Sequence, residues 1–362
     1  MSIPIVDSHI HLFPAAHLPS LSWYTPSSPL GSQHSVAQYR AASSSSYKST
    51  DEPPKDTSRR PSTQLRGFIF VETDRISSLS PSDWHNALDE VSFLARIARG
   101  QPIEGEGHVP EDSSLCLGIV PWAPVPAGPE ALKEYMALVR ERTLTPEVWN
   151  KIRGVRYLTQ DKPVGTMLGE EFINGLKWLG KEGLTFDLGV DARQGGLIQL
   201  REAVEMMKKV YSGVNEGEGV KLVINHLCKP NLHPPSSPTT THPDFEEWKS
   251  LITTMSSFPN TYMKLSGAFS ELPSVPTTSQ SDLIDTIEPW ANAVFDAFGP
   301  GRVMFGSDWP VCNVGGGGNG IAWARWRDVV ELLLQRKGLS EQAIKGVWGG
   351  VAAKAYGVQI DT

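Results

Sequence analysis

Residues 6–13, "VDSHIHLF", place His9 and His11 two apart in an apolar run. In a β-strand residues i and i+2 share a face, so both imidazoles converge on one spot, with Asp7 one step behind. Such a pair can ligate a divalent metal, or it can polarise a carbonyl with no metal bound. A catalytic zinc with an open position usually takes three protein ligands. Asp308, in "RVMFGSDWPV" at 302–311, is the carboxylate that completes such a set with His9 and His11. With or without a metal it is the candidate base for an attacking water, and His226 and Arg156 are candidates to hold a developing oxyanion. These residue types point to hydrolysis. A serine nucleophile is not indicated, because "GSD" at 306–308 is no G-x-S-x-G elbow and none occurs in the chain.

Residues so far apart in sequence meet only if repeated elements bring their ends together. Eight segments read as buried strands, near 3–13, 65–74, 115–125, 152–160, 184–191, 220–227, 261–269 and 302–311. The stretches between them carry helical stripes. One has Ser80 as N-cap, Pro81 in the first turn, Trp84, Leu88, Val91 and Leu94 on one face, and Gly100 as the stop. Others run through Leu132, Tyr135, Met136 and Val139, and through Trp326, Val329, Val330 and Leu333. Eight alternating units predict a parallel sheet closed into an α/β (β/α)8 TIM-type barrel, one domain over 1–362. A doubly wound open sheet is the competing architecture, but no Gly-rich phosphate loop follows the first strand.

The working end of such a barrel is the carboxyl end of its strands. There fall His9 and His11 (strand 1), Glu72 (strand 2), Arg156 and Gln160 (strand 4 and its exit) and Asp187 and Asp191 (strand 5). His226, Lys264 and Asp308 follow on strands 6, 7 and 8. A barrel interior has little other use for so much buried charge. Trp23, Trp122 and Trp309 lie beside these residues and are candidates to line a pocket.

Composition narrows the partners. Hydrophobic residues are 40% of the chain, enough for a sizeable core, and the net charge of −7 gives no electrostatic reason to expect a nucleic acid. No apolar run is long enough for a membrane span and no signal-peptide layout opens the chain, so a cytoplasmic protein is the expectation. Three scattered cysteines, Cys116, Cys228 and Cys312, support neither a disulfide framework nor a cysteine zinc knot. Residues 26–64 are Ser- and Pro-rich and read as an insertion loop, as do the shorter stretches 100–114 and 229–243, where His233 and His242 read as solvated. Nothing indicates an oligomeric state.

"VDSHIHLF", "INHLCKP" (224–230), "YMKLSG" (262–267) and "MFGSDWPV" (304–311), in order on strands, resemble the amidohydrolase superfamily. "RGVRYLTQD" at 153–161 and "WY" at 23–24 resemble its sugar-lactonase branch, and the likeness covers nearly the whole chain outside the insertions. The resemblance implies a (β/α)8 barrel that hydrolyses a small-molecule lactone such as L-rhamnono-1,4-lactone or L-fuconolactone. His9 and His11 then match the first-strand metal pair, Asp308 the eighth-strand ligand and base, and His226 the sixth-strand histidine. It also implies one divalent metal, zinc above others, or none. Strand 4 lacks the lysine that bridges two metals, and strand 5 offers Asp187 or Asp191 where metal-dependent relatives have histidine. On this reading Trp23, Tyr24, Trp122 and Trp309 give a sugar ring an apolar wall, while Gln160, Glu72, Asp187 and Lys264 contact its polar groups. A metal-dependent decarboxylase of an aromatic or unsaturated acid is the alternative, from a neighbouring branch.

Overall fold

The computed structural model describes residues 2–45, 62–215, 218–232, 239–272 and 278–360. Eight parallel strands appear where eight are expected: β1 (Ile3–Ile10), β2 (Thr63–Val71), β3 (Cys116–Val120), β4 (Gly154–Arg156), β5 (Thr185–Leu188), β6 (Lys221–Ile224), β7 (Thr261–Leu265) and β8 (Val303–Phe305). They pair in chain order as β1-β2-β3 and β4-β5-β6-β7-β8. Parallel bridges Ile119↔Ile152 and Trp122↔Arg156 join the two sheets at one seam, and Ile10↔Trp309 joins them at the other. The strands therefore close into the (β/α)8 ring.

Strands β5 and β7 are buried at every residue, since one face meets the barrel interior and the other the helices. Those helices are α1 (Val36–Ser43), α2 (His85–Arg99), α3 (Gly128–Thr143), α4 (Pro146–Trp149), α5 (Glu170–Lys181), α6 (Leu197–Tyr211), α7 (Pro243–Ser256), α8 (Gln280–Phe298), α9 (Cys312–Gly316), α10 (Ala322–Arg336), α11 (Glu341–Lys345) and α12 (Val351–Tyr356). In α2 the stripe Leu88, Val91 and Leu94 is buried, and Gly100 ends the helix at φ 62°, a left-handed cap that suits glycine. Inside the ring, Val6, Val71, Val120, Val223 and Met304 form one cluster with Val351, Ala352 and Tyr356, so α12 packs against the barrel interior. Register puts Arg156, Asp187, Val223 and Tyr262 on one face, with Lys264 and Met304 paired one layer above. No described helix is long and apolar enough to cross a membrane.

The 26–64 insertion is not all loop. Val36–Ser43 is a helix because Ser35 and Gln38 form a capping box and Val36, Tyr39 and Ala42 make an apolar face that is buried. The Tyr39 hydroxyl donates to Asp7 Oδ2 (3.0 Å), tying this segment to the first strand. Residues 46–61 of that insertion, and His233, lie outside the described residues. His242 accepts from the Asp244 N–H at the start of α7 and so serves as a helix cap.

Candidate active site

Four of the expected residues meet at the carboxyl ends of the strands. His9 Nε2 and His11 Nε2 are 3.2 Å apart. Asp308 Oδ1 lies 3.6 Å from His9 Nε2, from His11 Nε2 and from His226 Nε2. His226 and Asp308 are not on strands. Each follows one in a turn at positive φ, 55° and 60°. Asp308 N–H donates to His9 O (2.9 Å), and Ser307 N–H donates to Asp7 Oδ1 (2.7 Å). Asp7, which the sequence placed only beside the histidines, thus anchors the turn that presents Asp308, and Trp323 Nε1 donates to its other oxygen (2.8 Å).

The turn after β6 is the strained part of the site. His226, Leu227, Cys228 and Lys229 all have φ between 46° and 61°. Left-handed backbone costs a non-glycine residue about 1–2 kcal/mol, so neighbours must hold the run in place. They do: Trp248 Nε1 donates to Leu227 O (3.1 Å), while Ala192 and Arg193 N–H donate to Cys228 O and Lys229 O. The result aims both His226 and Lys229 into one cleft.

That cleft has a volume of about 340 Å³ and is lined by His11, His226, Asp308, Arg156, Gln160 and Trp23, among others. It also exposes Asp74, Asp161 and Lys229, which sequence reasoning missed. Lys229 lies inside "INHLCKP", but only the left-handed turn shows that it shares a wall with His226. Phe13 and Leu30 give the cleft apolar surface, so the 26–64 segment contributes directly to it.

Six expected substrate contacts do not line the cleft. Lys264 and Asp187 are fully buried as an ion pair (2.5 Å), with Lys264 Nζ 3.0 Å from His9 Nδ1 and the Tyr356 hydroxyl on Asp187 (2.7 Å). Their side chains point inward, below the histidines. Glu72 is buried beneath Arg156, which it pairs at 2.6 Å. Trp122 packs edge-on against Tyr135, Trp309 is buried with its Nε1 on Asn319, and Tyr24 packs on the Phe13 and Leu18 cluster. Asp191 lies beyond β5 and accepts from Arg193 and Gln194 N–H, a turn cap.

Electrostatics separates the roles. Burial, reinforced by the charge on Lys264, holds His9 well below the ordinary imidazole value, and burial pushes His226 down to about 3. Burial works against the Asp308 carboxylate, but His226, His11 and Lys229 outweigh it and hold the group below the ordinary range. A neutral His226 cannot lend a full charge to that balance. We hold to an ionised Asp308 facing neutral His9 and His226, because Lys229, Lys264 and Arg156 already crowd the site with cations.

The donor atoms His9 Nε2, His11 Nε2 and an Asp308 oxygen fall within 4.8 Å of one another. Bonds of about 2.0–2.1 Å in a tetrahedral zinc site place ligands roughly 3.3–3.4 Å apart, close to the 3.2 and 3.6 Å found here. His11 Nδ1 lies 2.8 Å from the acceptor Val71 O, which leaves Nε2 with its lone pair. His9 is less prepared, because its Nδ1 faces the Lys264 ammonium and its proton therefore rests on Nε2. The set fits one divalent ion in the other His9 tautomer, with the proton on Nδ1 and an uncharged Lys264 amine accepting it.

Gly267 stands against His226 at φ 74°, where an added Cβ would come within 2.6 Å of the ring Cγ and Nδ1. Gly267→Ala is expected to lower turnover by about 10²-fold through a displaced imidazole. Steady-state kinetics beside a circular dichroism spectrum checks this, and unchanged turnover would remove His226 from the site.

The amidohydrolase profile matches residues 117–358. The chain is 32% identical to an L-rhamnono-gamma-lactonase of Scheffersomyces stipitis over 98% of both chains. It is 30% identical to an L-fucono-1,5-lactonase of Burkholderia multivorans over 57% of this chain and 63% of that one. A crystal structure of an amidohydrolase from Burkholderia multivorans with bound zinc superposes with a TM-score of 0.68, at 22% identity, covering 98% of this chain and 99% of that one. Its closed parallel barrel and its sequence lead to one assignment: the chain belongs to the amidohydrolase family.

Proposed function

We propose that this protein hydrolyses a sugar-derived lactone, an aldonolactone such as L-rhamnono-1,4-lactone or L-fuconolactone, to the aldonic acid. The observation that carries the reading is the convergence of three imidazole nitrogens on one carboxylate oxygen at the floor of the cleft. Likeness over nearly the full chain to an L-rhamnono-gamma-lactonase supports the substrate class.

Water attacks the lactone carbonyl and gives its proton to Asp308. The oxyanion of the tetrahedral intermediate faces His226 and Arg156, whose guanidinium is held by Glu72. The ring C–O bond then breaks, and the proton on Asp308 is available to the leaving alkoxide, so the product is a hydroxy acid. Trp23, Phe13 and Leu30 form the wall for the sugar ring, and Gln160, Asp161, Asp74 and Lys229 are placed to select hydroxyls. A divalent ion held by His9, His11 and Asp308 would supply Lewis-acid polarisation of the carbonyl. Zinc suits two nitrogens and one oxygen.

A panel of aldonolactones, followed by proton release at neutral pH, tests the activity. Turnover of at least one γ- or δ-lactone is expected, and none on any member would end this reading. Elemental analysis of the same preparation is expected to give at most one divalent ion per chain, because no second set of three ligands occurs among the described residues. Two ions per chain would refute the ligand set. The decarboxylase alternative gains nothing from the site, since β5 contributes Asp187, already paired with Lys264, and no imidazole.

A further inference from the structure

The largest cavity described is at the opposite end of the barrel. It has a volume of about 600 Å³ and lies among the first residues of β5 and β6, the C-terminal halves of α3 and α5, and the end of α12. A cavity of roughly 300–1,000 Å³ is the size that takes a small molecule, and this one exceeds the 340 Å³ cleft above.

Its lining is strongly cationic. Lys133, Arg140, Arg153 and Lys221 line it with only Glu182 as a lining carboxylate, Lys133 being paired with Glu130 (2.6 Å), in a chain whose net charge is −7. Basic side chains often gather at helix C-termini, where they meet the negative end of the helix dipole. That accounts for Arg140, in the last turn of α3. It does not account for Arg153, just before β4, or for Lys221, the first residue of β6. Neither makes an ion pair among the described residues, and the Lys221 ammonium reaches only the carbonyls of Lys354 and Ala355, at 3.4 Å.

Two buried polar atoms in this lining have no hydrogen-bond partner, Arg153 Nε and Thr185 Oγ1. Thr185 is only 2% exposed. Native folds leave few such groups, because a buried unsatisfied donor or acceptor costs about 1–3 kcal/mol. A charged guanidinium kept half-buried without a carboxylate is the harder of the two to explain structurally. Trp149 and Trp178 add flat apolar surface to the same lining.

We propose that this cavity is a second binding site, separate from the catalytic cleft, for a small organic anion. Carboxylate or phosphate oxygens lie on the Arg153 guanidinium and the Lys221 ammonium, with the body of the ligand against Trp149 and Trp178. The site is connected to the cleft. Tyr356, part of its lining, donates to Asp187, which pairs with Lys264, which touches His9.

Titration calorimetry of the intact protein with inorganic phosphate, glucose 6-phosphate and benzoate, in a buffer free of both anion types, tests the proposal. At least one probe is expected to bind saturably with a stoichiometry near one, and the phosphate and carboxylate arms tell the two anion types apart. Arg153→Met combined with Lys221→Met should weaken that binding by about 10²-fold, the value of two charge-assisted contacts. Lactone turnover in this variant should stay near that of the parent, and Lys229→Gln in the catalytic cleft should leave the binding unchanged. Arg140→Gln, at an exposed helical position, gives a smaller loss in the same direction should the double variant fail to fold. No saturable binding of any probe overturns the proposal. So does binding that survives the double variant, or binding that falls with Lys229→Gln instead.

Discussion

Asp308→Asn is expected to lower kcat for the best aldonolactone by about 10²-fold or more, the usual contribution of a positioned general base. The amide keeps the shape of the carboxylate, and the turn that carries residue 308 is held from its backbone by His9 O and, one residue earlier, by Asp7. The fold therefore survives and the loss reports chemistry. What disappears is the negative charge, and with it the basicity, of the group that three imidazole nitrogens surround at 3.6 Å. Thermal unfolding should shift little. Elemental analysis beside the kinetics separates loss of a base from loss of a ligand. A variant that keeps most of its turnover would show that the base is another residue.

Lys264→Met is expected to cost about 3–5 kcal/mol of stability, the penalty for breaking a buried pair and stranding one charge. Lys264 and Asp187 are both fully buried in the barrel interior. Burial pulls the Lys264 ammonium below its ordinary value, and the adjoining Asp187 carboxylate opposes that shift. With the lysine gone, Asp187 keeps the Tyr356 hydroxyl as its one hydrogen-bond partner among the described residues. Urea unfolding measures the loss, and adding Asp187→Leu should recover much of it, as apolar replacement of buried pairs often does. Turnover should stay low in the double variant, because His9 Nδ1 has lost the contact that orients its ring. A single variant within about 1 kcal/mol of the parent would mean that water or a neighbour satisfies Asp187.

Both predictions rest on residues already visible in the sequence, Asp308 in the role first read for it, Lys264 and Asp187 in another. Asp308 and the two histidines of "VDSHIHLF" were legible because strand alternation and barrel polarity are local rules, and local rules can be read from spacing. Lys264, Asp187 and Glu72 were legible as misplaced charges on strands. Whether such a charge meets substrate or another side chain depends on its partners across the barrel as well as on register. Arg156 and Asp187 are level in register, yet Arg156 lines the cleft while Asp187 turns to Lys264 in the interior.

The tryptophans show the same limit. Trp23, Trp122 and Trp309 all flank site residues in sequence, yet only Trp23 reaches the cleft. A large ring near a strand end can turn toward the helices as readily as toward the ligand, and packing partners decide. Tyr135 takes Trp122, and Asn319 takes Trp309.

By itself the sequence determined the architecture, because eight β-rich segments alternating with amphipathic stretches have few ways to bury their apolar faces other than a closed parallel barrel. It also placed His9, His11, His226 and Asp308 at one end of that barrel, where they meet. Only the tertiary structure decided how they meet. The left-handed turn at His226–Lys229, the positive φ at Asp308 and the Asp7 anchor are backbone geometries that no residue pattern encodes, since ordinary side chains there are held against their own preference by distant neighbours. The cationic cavity at the other end was hidden for the same reason. Arg153, Lys221 and Arg140 sit on separate elements, and long-range packing alone brings their charges to one wall.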